Sequence, residues 1–254
     1  MFEAAGDLYD RFIGRYGPAL GDAFLAFAGV HSGMRVLDVG CGSGALAGQA
    51  ARLVGGANVA AVDPSQPFAK ACKRRVPEAD VRVAPAESLP FDDDLFDAVL
   101  SQLVVNFMAD AEKGVAEKTR VAKPGGVVAA CVWDYRGEMR LLRAFWDSAA
   151  EVDPAAPDEG TSMRYARPDE LEDLWTEAGL EAVETSALDV QADYADFDDL
   201  WTPFLAGIGP AGAYTASLEP DGQTALRAQL RKELDDPVGP FTLTARAWGV
   251  RGTK

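Results

Sequence analysis

The stretch RVLDVGCGSGALAGQAARL, from Arg35 to Leu53, decides the fold of this chain. An apolar run rich in β-branched residues leads into three closely spaced glycines, and a helical pattern follows them. Gly40, Gly42 and Gly44 let the backbone turn sharply after a strand and let a ligand approach without interference from side chains. The stretch therefore predicts a strand, a ligand-binding loop and a helix.

The helix after the loop is expected to bury one apolar face. Leu46, Ala50 and Leu53 recur at helical spacing, and Gly55-Gly56 gives a stop signal. Four further runs read as buried strands, and the segments between the first strands are long enough for crossover helices: ANVAAVD, DVRVA, FDAVLSQ and GGVVAACVW. This order predicts an α/β fold with a doubly wound, mostly parallel sheet.

The second half of the chain continues with helices and two more strands. Helices are expected near Glu138 to Glu151 and from Pro168 to a stop at Gly179. Strands are expected at Glu181 to Val190 and Pro240 to Val250. The intervening residues 191–239 are too long for a hairpin and too apolar for a linker, so we expect a helical cap there.

Composition restricts the function classes. The 254 residues are 48% hydrophobic and carry a formal net charge of −16, which favours one folded domain and disfavours nucleic-acid or anionic-membrane partners. Three widely spaced cysteines predict neither a disulfide framework nor a zinc site, and they suit a reducing cytoplasm. The acidic N-terminal residues do not resemble a secretory leader, and no run reaches the roughly 20 apolar residues of a membrane span.

Two carboxylates indicate the kind of ligand. Asp63 ends the second strand, where an acid can accept hydrogen bonds from both ribose hydroxyls of a nucleotide, including NAD. Asp38 precedes Gly40 by two residues and would repel a pyrophosphate at the start of the helix. A cationic nucleoside is favoured instead, and S-adenosylmethionine carries a sulfonium, an ammonium and no phosphate.

These residues resemble the class I S-adenosylmethionine-dependent methyltransferases, in particular the bacterial small-molecule branch similar to the ubiquinone/menaquinone methyltransferase type. The resemblance rests on VLDVGCGSG, VDPS, AESLPFDDDLFDAV and RVAKPGG in this order, and YDRFIGRYGPAL is similar to the family's N-terminal helices. It implies a Rossmann-like, seven-stranded sheet whose last strand is antiparallel, with S-adenosyl-L-methionine as cofactor. The implied single domain comprises N-terminal helices (1–30), a cofactor-binding core (31–134), helices and the sixth strand (135–190), the cap (191–239) and the last strand (240–254).

The resemblance also implies roles for individual residues. Those for cofactor binding are Tyr9, Arg15, Asp38, Gly40, Cys41, Gly42, Asp63, Pro64, Phe68, Ala86, Glu87 and Gln102. Asp38 and the glycines would line the methionine moiety, Asp63 would hold the ribose, and Pro64 and Phe68 would flank the adenine. Ala86 would donate its backbone N–H to the adenine, with Glu87 beside it. Pro85 stands where the family commonly has an acid, which weakens one adenine contact.

Catalytic residues are less well defined by the sequence. Gln102, Trp133 and Asp134 follow or end strands at the edge where such folds bind ligands, so they are the candidates. An aromatic substrate pocket could use members of a larger set, most of which we expect to pack in the core: Trp133, Trp146, Tyr165, Trp175, Trp201 and Phe204. His31 and the Asp92 to Asp94 run are read as a solvated loop and a solvated turn, with no metal expected.

The resulting hypothesis is in-line methyl transfer to a small organic acceptor, in a monomer or homodimer. A relative that binds the cofactor but catalyses a rearrangement or cyclisation is the alternative, and an NAD-dependent oxidoreductase is a distant third. The N-terminal helices and the cap are expected to close over the ligands.

Overall fold

The computed structural model describes residues 12–254, which divide into two compact units. The sheet unit comprises Pro18–Trp133, Arg164–Leu188 and Ala247–Lys254. The helical unit comprises described residues 12–17 together with Asp134–Met163 and Asp189–Arg246. The division of one domain into five segments stays a prediction.

Seven strands form one sheet in the order β3-β2-β1-β4-β5-β7-β6. Their bounds are β1 Val36–Val39, β2 Val59–Asp63, β3 Asp80–Val83, β4 Phe96–Gln102, β5 Ala122–Trp133, β6 Glu181–Tyr194 and β7 Phe241–Thr253. Strands β1 to β5 pair in parallel, whereas β7 runs antiparallel to β5 with Val127 opposite Thr253 and Trp133 opposite Ala247. This confirms the predicted doubly wound, seven-stranded sheet with its antiparallel last strand.

The strand order reverses between β1 and β4, which puts the carboxyl ends of these two strands side by side. Asp38 of β1 lies in register with Ala61 of β2 on one side and Leu100 of β4 on the other. All residues of β1 and β2 are buried, as expected for strands covered on both faces. Ligands of open α/β sheets bind where the strand order reverses, so the topology singles out this edge.

Five α-helices of the described residues lie in the sheet unit. They are α1 Gly17–Phe27, whose first residue still belongs to the helical unit, α2 Ala45–Val54, α3 Gln66–Arg75, α4 Ala111–Val121 and, later in the chain, α7 Pro168–Glu177. Two of them, α2 and α7, have the ends that the sequence predicts. Helix α2 starts after Gly44 in the left-handed conformation and ends at Gly55. Leu53 on this helix is 46% exposed, so its predicted burial is wrong; Val54 is buried at the last turn instead.

The helical unit contains helices α5 Arg140–Val152, α6 Glu159–Ser162, α8 Phe197–Trp201, α9 Gly209–Ser217 and α10 Pro220–Glu233. The cap predicted over residues 191–239 is thus mostly helical, but its first four residues continue β6 to Tyr194. Leu188, Val190, Ala192 and Tyr194 are buried at every second position, a strand periodicity that extends past the predicted end. No helix within residues 12–254 is both long enough and apolar enough to cross a membrane.

Candidate functional site

Asp38 is a buried carboxylate near the carboxyl end of β1, with only 2% of its surface exposed. The backbone N–H of Ala47 on α2 donates to it, but no described residue donates to its buried Oδ2. Burial raises the pKa of Asp38 to about 7; the hydrogen bond from Ala47 opposes this rise and the charge of Asp63 adds to it. A buried acceptor without a donor is costly, so this oxygen indicates a ligand that supplies one.

The glycine loop that follows β1 has one packed and one open position. The N–H groups of Gly40 and Cys41 both donate to Val62 O, at 2.8 and 2.9 Å. A Cβ at Gly40 would lie 2.5 Å from a methyl group of Val104, so this glycine is required for packing. A Cβ at Gly42, where φ is +52°, would meet no atom within 4 Å. The backbone at Gly42 therefore borders open space that a ligand can enter.

Asp63, the last residue of β2, is tied to the loop by backbone hydrogen bonds. Its Oδ2 accepts from Gly42 N–H at 2.9 Å and its Oδ1 accepts from Ser65 N–H at 2.8 Å. Each carboxylate oxygen can accept a second hydrogen bond, so these contacts leave capacity for a diol. The carboxylate is buried and fixed, which suits a residue that orients a ligand.

Cys41 is buried, and its neighbours are Asp38, Asp63 and Cys72 of helix α3. Its thiol hydrogen-bonds with the thiol of Cys72, and this contact together with burial holds the pKa of Cys41 far above the ordinary value. Cys72 also lies 2.8 Å, through its Sγ, from the place where a Cβ on Gly44 would stand. The Cys41 thiol therefore stays protonated and serves packing rather than nucleophilic chemistry.

The segments predicted to contact an adenine lie on β2–α3 and after β3. Pro64 is exposed, and Phe68 near the start of α3 is 45% exposed. Ala86 is buried, and Glu87 Oε1 accepts a hydrogen bond from Asp110 N–H at 3.2 Å. An exposed phenylalanine offers an apolar face to a flat ring.

Gln102 closes β4 on the same face of the sheet as Asp38. Asp38 lies in register with Leu100, and residues two apart along a strand point to the same face. The Oε1 atom of Gln102 is buried and no described residue donates to it. Two buried acceptors, on neighbouring strands at the reversal of the strand order, therefore have no donor within residues 12–254.

The remaining predicted site residues are placed as follows. Trp133 is the buried last residue of β5 in the sheet unit. In the helical unit, Asp134 Oδ2 accepts from Glu138 N–H at 2.9 Å. Arg15 pairs with Asp199 at 3.1 Å. Tyr9 lies outside the described residues. The roles assigned to all of these residues stay predictions.

The aromatic candidates divide between the two units: Trp133, Tyr165 and Trp175 belong to the sheet unit, and Trp146, Trp201 and Phe204 to the helical unit. The indole N–H of Trp175 donates to Val128 O at 2.8 Å, and that of Trp146 donates to Glu159 at 2.9 Å. Both tryptophans are buried and have their polar atom satisfied, as is usual for structural tryptophans.

The residues read as solvated lie on the surface. His31 is exposed in the loop before β1, with its Nδ1 2.9 Å from Ser32 O. Asp92 to Asp94 are exposed, and Asp93 pairs with Arg120. In residues 12–254 no group of three or more histidine, cysteine or acidic side chains is arranged to hold a metal ion.

Three residues near the site were missed from the sequence. Val104 packs against Gly40, and Ser65 uses its backbone N–H, so neither carries a signal in its side-chain type. Lys118 is different because it interrupts the apolar stripe of α4 at a position where Ala111 and Val115 predict burial. A charge in a buried stripe is a readable signal.

Comparison with known proteins finds methyltransferases among those that this chain resembles. Residues 37–130 match the model of the methyltransferase domain. The ubiquinone biosynthesis O-methyltransferase of Rhizobium leguminosarum bv. trifolii is 32% identical over 162 residues, which is 61% of this chain and 62% of that enzyme. The chain spans only 53% to 63% of the length of the curated relatives with the strongest matches.

Solved structures share the fold at low identity. A possible histamine N-methyltransferase from Thermotoga maritima matches 100% of this chain and 98% of its own, with 19% identity and a TM-score of 0.57. A cyclase of the 4+2 type matches 93% of this chain and 81% of its own, with 20% identity and a TM-score of 0.59. Residues 37–130 thus match a methyltransferase domain, and this match, the relatives and the sheet together support a class I S-adenosylmethionine-dependent methyltransferase.

Proposed function

We propose that this chain transfers the methyl group of S-adenosyl-L-methionine to a small organic acceptor. The observation that carries the proposal is that no described residue donates to the buried Oδ2 of Asp38, four residues before the open backbone at Gly42. An ammonium group supplies the donor that this oxygen lacks, and it also compensates the buried charge. The family cofactor carries such an ammonium close to a sulfonium.

The charge of the site separates this cofactor from a dinucleotide. A pyrophosphate at the glycine loop would meet the carboxylates of Asp38 and Asp63, both of which are buried and therefore weakly screened. Repulsion between these like charges would weaken the binding of a pyrophosphate, whereas attraction to the carboxylates strengthens the binding of a cation. An NAD-dependent oxidoreductase is therefore disfavoured.

Each end of the cofactor is assigned to its own residues in this proposal. Asp38, Gly40, Cys41 and Gly42 line the methionine moiety, and Asp63 accepts the ribose hydroxyls with its remaining lone pairs. The adenine is assigned to Pro64, Phe68, Ala86 and Glu87. Pro85 contributes no side-chain acceptor and no N–H, so the exposed ring of Phe68 carries more of the adenine contact.

In this reaction the main task of the protein is to position the cofactor and the acceptor. The cofactor supplies an electrophilic methyl group on a leaving group that needs no further activation. Alignment of the reacting atoms and exclusion of water can then account for about 7–11 kcal/mol of barrier lowering. Gln102, whose Oε1 has spare acceptor capacity, is the side chain we assign to hold the methionine end or the acceptor near the transferred carbon.

The net charge of the chain and its relatives among known enzymes support a small organic molecule as the acceptor. A net charge of −16 repels polyanions, which argues against RNA and DNA as substrates. The rhizobial relative is named an O-methyltransferase of ubiquinone biosynthesis, and a small organic acceptor is proposed for this chain without assigning the methylated atom. Three buried free cysteines suit a reducing compartment, so we place the protein in the cytoplasm.

Calorimetry and mass spectrometry test the proposal. S-adenosylmethionine and S-adenosylhomocysteine should bind and raise Tm, whereas NADH should do neither. A panel of phenols, amines and polyketide-like acids, with tRNA and duplex DNA as controls, should then yield a product heavier by one methylene unit. Cofactor binding with an altered but unmethylated product would favour the rearrangement or cyclisation alternative, and NADH binding would favour the oxidoreductase.

A further inference from the structure

Lys118 on α4 is a fully buried lysine at the back of the sheet in the sheet unit. Its Nζ donates to Ser101 Oγ at 2.7 Å and to Ala129 O at 3.2 Å, and it lies 4.8 Å from the ring centroid of Trp175. One ammonium group thus connects β4, β5 and α7. No carboxylate of the described residues pairs with it.

This arrangement is expensive for stability alone. A buried ammonium loses its hydration, and two neutral acceptors with one aromatic ring compensate only part of the loss. Burial accordingly lowers the pKa of Lys118 to about 7, with the Cys131 thiol acting slightly against this change. An unbranched apolar side chain such as methionine would fill similar space without that cost.

Ser101 connects Lys118 to the candidate site on the other face. Successive residues of a strand point to opposite faces, so Ser101 faces Lys118 while Gln102 faces the side of Asp38. Holding Ser101 therefore fixes the backbone from which the Gln102 side chain projects. Lys118 itself reaches no ligand.

The backbone immediately after Gln102 is strained and needs such support. Leu103 has a φ of +61°, a left-handed conformation that is strained for a residue with a Cβ. Its N–H donates to Cys131 O at 2.8 Å, and the next residue, Val104, packs against Gly40 of the glycine loop. Strain of this kind persists only where the surroundings hold it.

We propose that Lys118 is a positioning residue for the cofactor site, holding the carboxyl end of β4 through Ser101 so that Gln102 and Val104 keep their places. This inference rests on the proposed function, because the site it serves is the proposed cofactor site. A serine beside a lysine also resembles a nucleophile with its base, but both side chains are fully buried and no substrate can reach them.

The test compares Lys118→Met with Lys113→Met, an exposed lysine on the same helix. S-adenosylhomocysteine affinity is measured by calorimetry, local opening by hydrogen exchange of a peptide spanning residues 101–104, and global stability by Tm. Lys118→Met should weaken binding on the order of tenfold and accelerate exchange in that peptide, while Tm stays equal or rises. Lys113→Met should change none of the three quantities.

Ser101→Ala and Gln102→Ala make the test specific. Ser101→Ala should shift affinity and local exchange in the same direction as Lys118→Met, which keeps the proposal testable if the latter fails to fold. In a Gln102→Ala background, Lys118→Met should cost less affinity than in the wild type, because its effect passes through Gln102.

Two results would overturn the inference while leaving the proposed function intact. One is wild-type affinity and wild-type exchange in Lys118→Met. The other is weaker binding accompanied by a lower Tm and faster exchange throughout the chain, which is the signature of a merely structural lysine. Failure of the wild-type protein to bind S-adenosylhomocysteine would instead contradict the proposed function, and the inference with it.

Discussion

The backbone N–H of Gly42 donates to Asp63 Oδ2 at 2.9 Å, joining the loop after β1 to the end of β2. The second oxygen of Asp63 accepts from Ser65 N–H, so one carboxylate orders the backbone on both sides of it. The same two segments are those assigned to the methionine and ribose ends of the cofactor. Asp63 therefore fixes the relative positions of the segment assigned to the methionine end and the segment assigned to the ribose.

Asp63→Ala is expected to weaken S-adenosylhomocysteine binding by about 1.5–3 kcal/mol. The substitution removes the ribose acceptor and also releases the N–H groups of Gly42 and Ser65. Calorimetry of the folded variant gives the affinity. Asp92→Ala, on an exposed acid in a turn, is the matched control and should bind normally. Unchanged affinity in Asp63→Ala would refute the ribose assignment.

Much of the fold was readable from periodicity. Strands β1 and β2 are short runs buried along their whole length, as predicted. The predicted burial of β3 is wrong: it is partly exposed, with Val83 54% exposed, because β3 lies at the edge of the sheet. Helix α7 begins at Pro168 and is followed by Gly179 with a φ of +77°, as predicted. Errors arose where two periodicities compete or burial depends on neighbours. Strand β6 continues to Tyr194, through residues that the sequence analysis assigns to the start of the cap. Leu53 is exposed because helical spacing alone does not show where the buried face of a helix ends.

The candidate site was predictable to the extent that it uses side-chain types with distinctive chemistry. Asp38 is recognisable just before the glycine loop and Asp63 at the end of the next strand, whereas Val104 contributes only shape at Gly40. The left-handed backbone of Leu103 has no sequence signal, because leucine is an unusual residue for that conformation. Contacts made by backbone atoms and by packing appear only when the strands are placed side by side.

Cofactor affinity should depend on pH through Asp38. The pKa of this carboxyl in the free protein is about 7, above its ordinary value of 3.8, so the folded chain holds a proton that the unfolded chain loses. Its contribution to stability therefore falls as the pH rises from about 4 to about 7. A cationic ligand favours the ionised form, so binding below pH 7 must release that proton and affinity should rise with pH up to about 7.

Calorimetry in two buffers of different ionisation enthalpy measures this proton directly. Near pH 6, binding of S-adenosylhomocysteine should release close to one proton, and well above pH 7 the release should vanish. Asp38→Asn keeps the shape but replaces Oδ2 with a donor, so it should bind weakly and without this proton release. Proton uptake, or release that persists in Asp38→Asn, would assign the titration to another group.

Lys118 should give the stability of the free protein the opposite pH dependence. Its pKa falls from 10.5 to about 7 on folding, so above pH 7 the unfolded chain binds the additional proton and stability rises with pH toward 10.5. The buried thiols of Cys41 and Cys131, whose pKa values are raised, oppose this above about pH 9. Urea unfolding between about pH 7 and 8.5 should therefore show rising stability in the wild type and a flatter profile in Lys118→Met. Parallel profiles would mean that the lysine is not the titrating group.

A pair of glycine substitutions separates ligand contact from backbone strain. Gly42 and Gly33 both have positive φ, at +52° and +91°, and a Cβ on either would meet no protein atom within 4 Å. Alanine at either position therefore costs a similar amount of backbone strain, about 1–2 kcal/mol, and should lower Tm to a comparable extent. Gly42 lies in the proposed cofactor loop, whereas Gly33 lies in the exposed loop before β1.

Only Gly42→Ala should therefore affect the ligand. Its methyl group would enter the space assigned to the methionine moiety, and overpacking of this size costs about 1–3 kcal/mol, or roughly tenfold or more in affinity. Gly33→Ala should bind S-adenosylhomocysteine as the wild type does despite its lower Tm. Equal affinity in the two variants would place the ligand away from Gly42 and would remove the open backbone as an argument for the site, leaving Asp38 alone to support it.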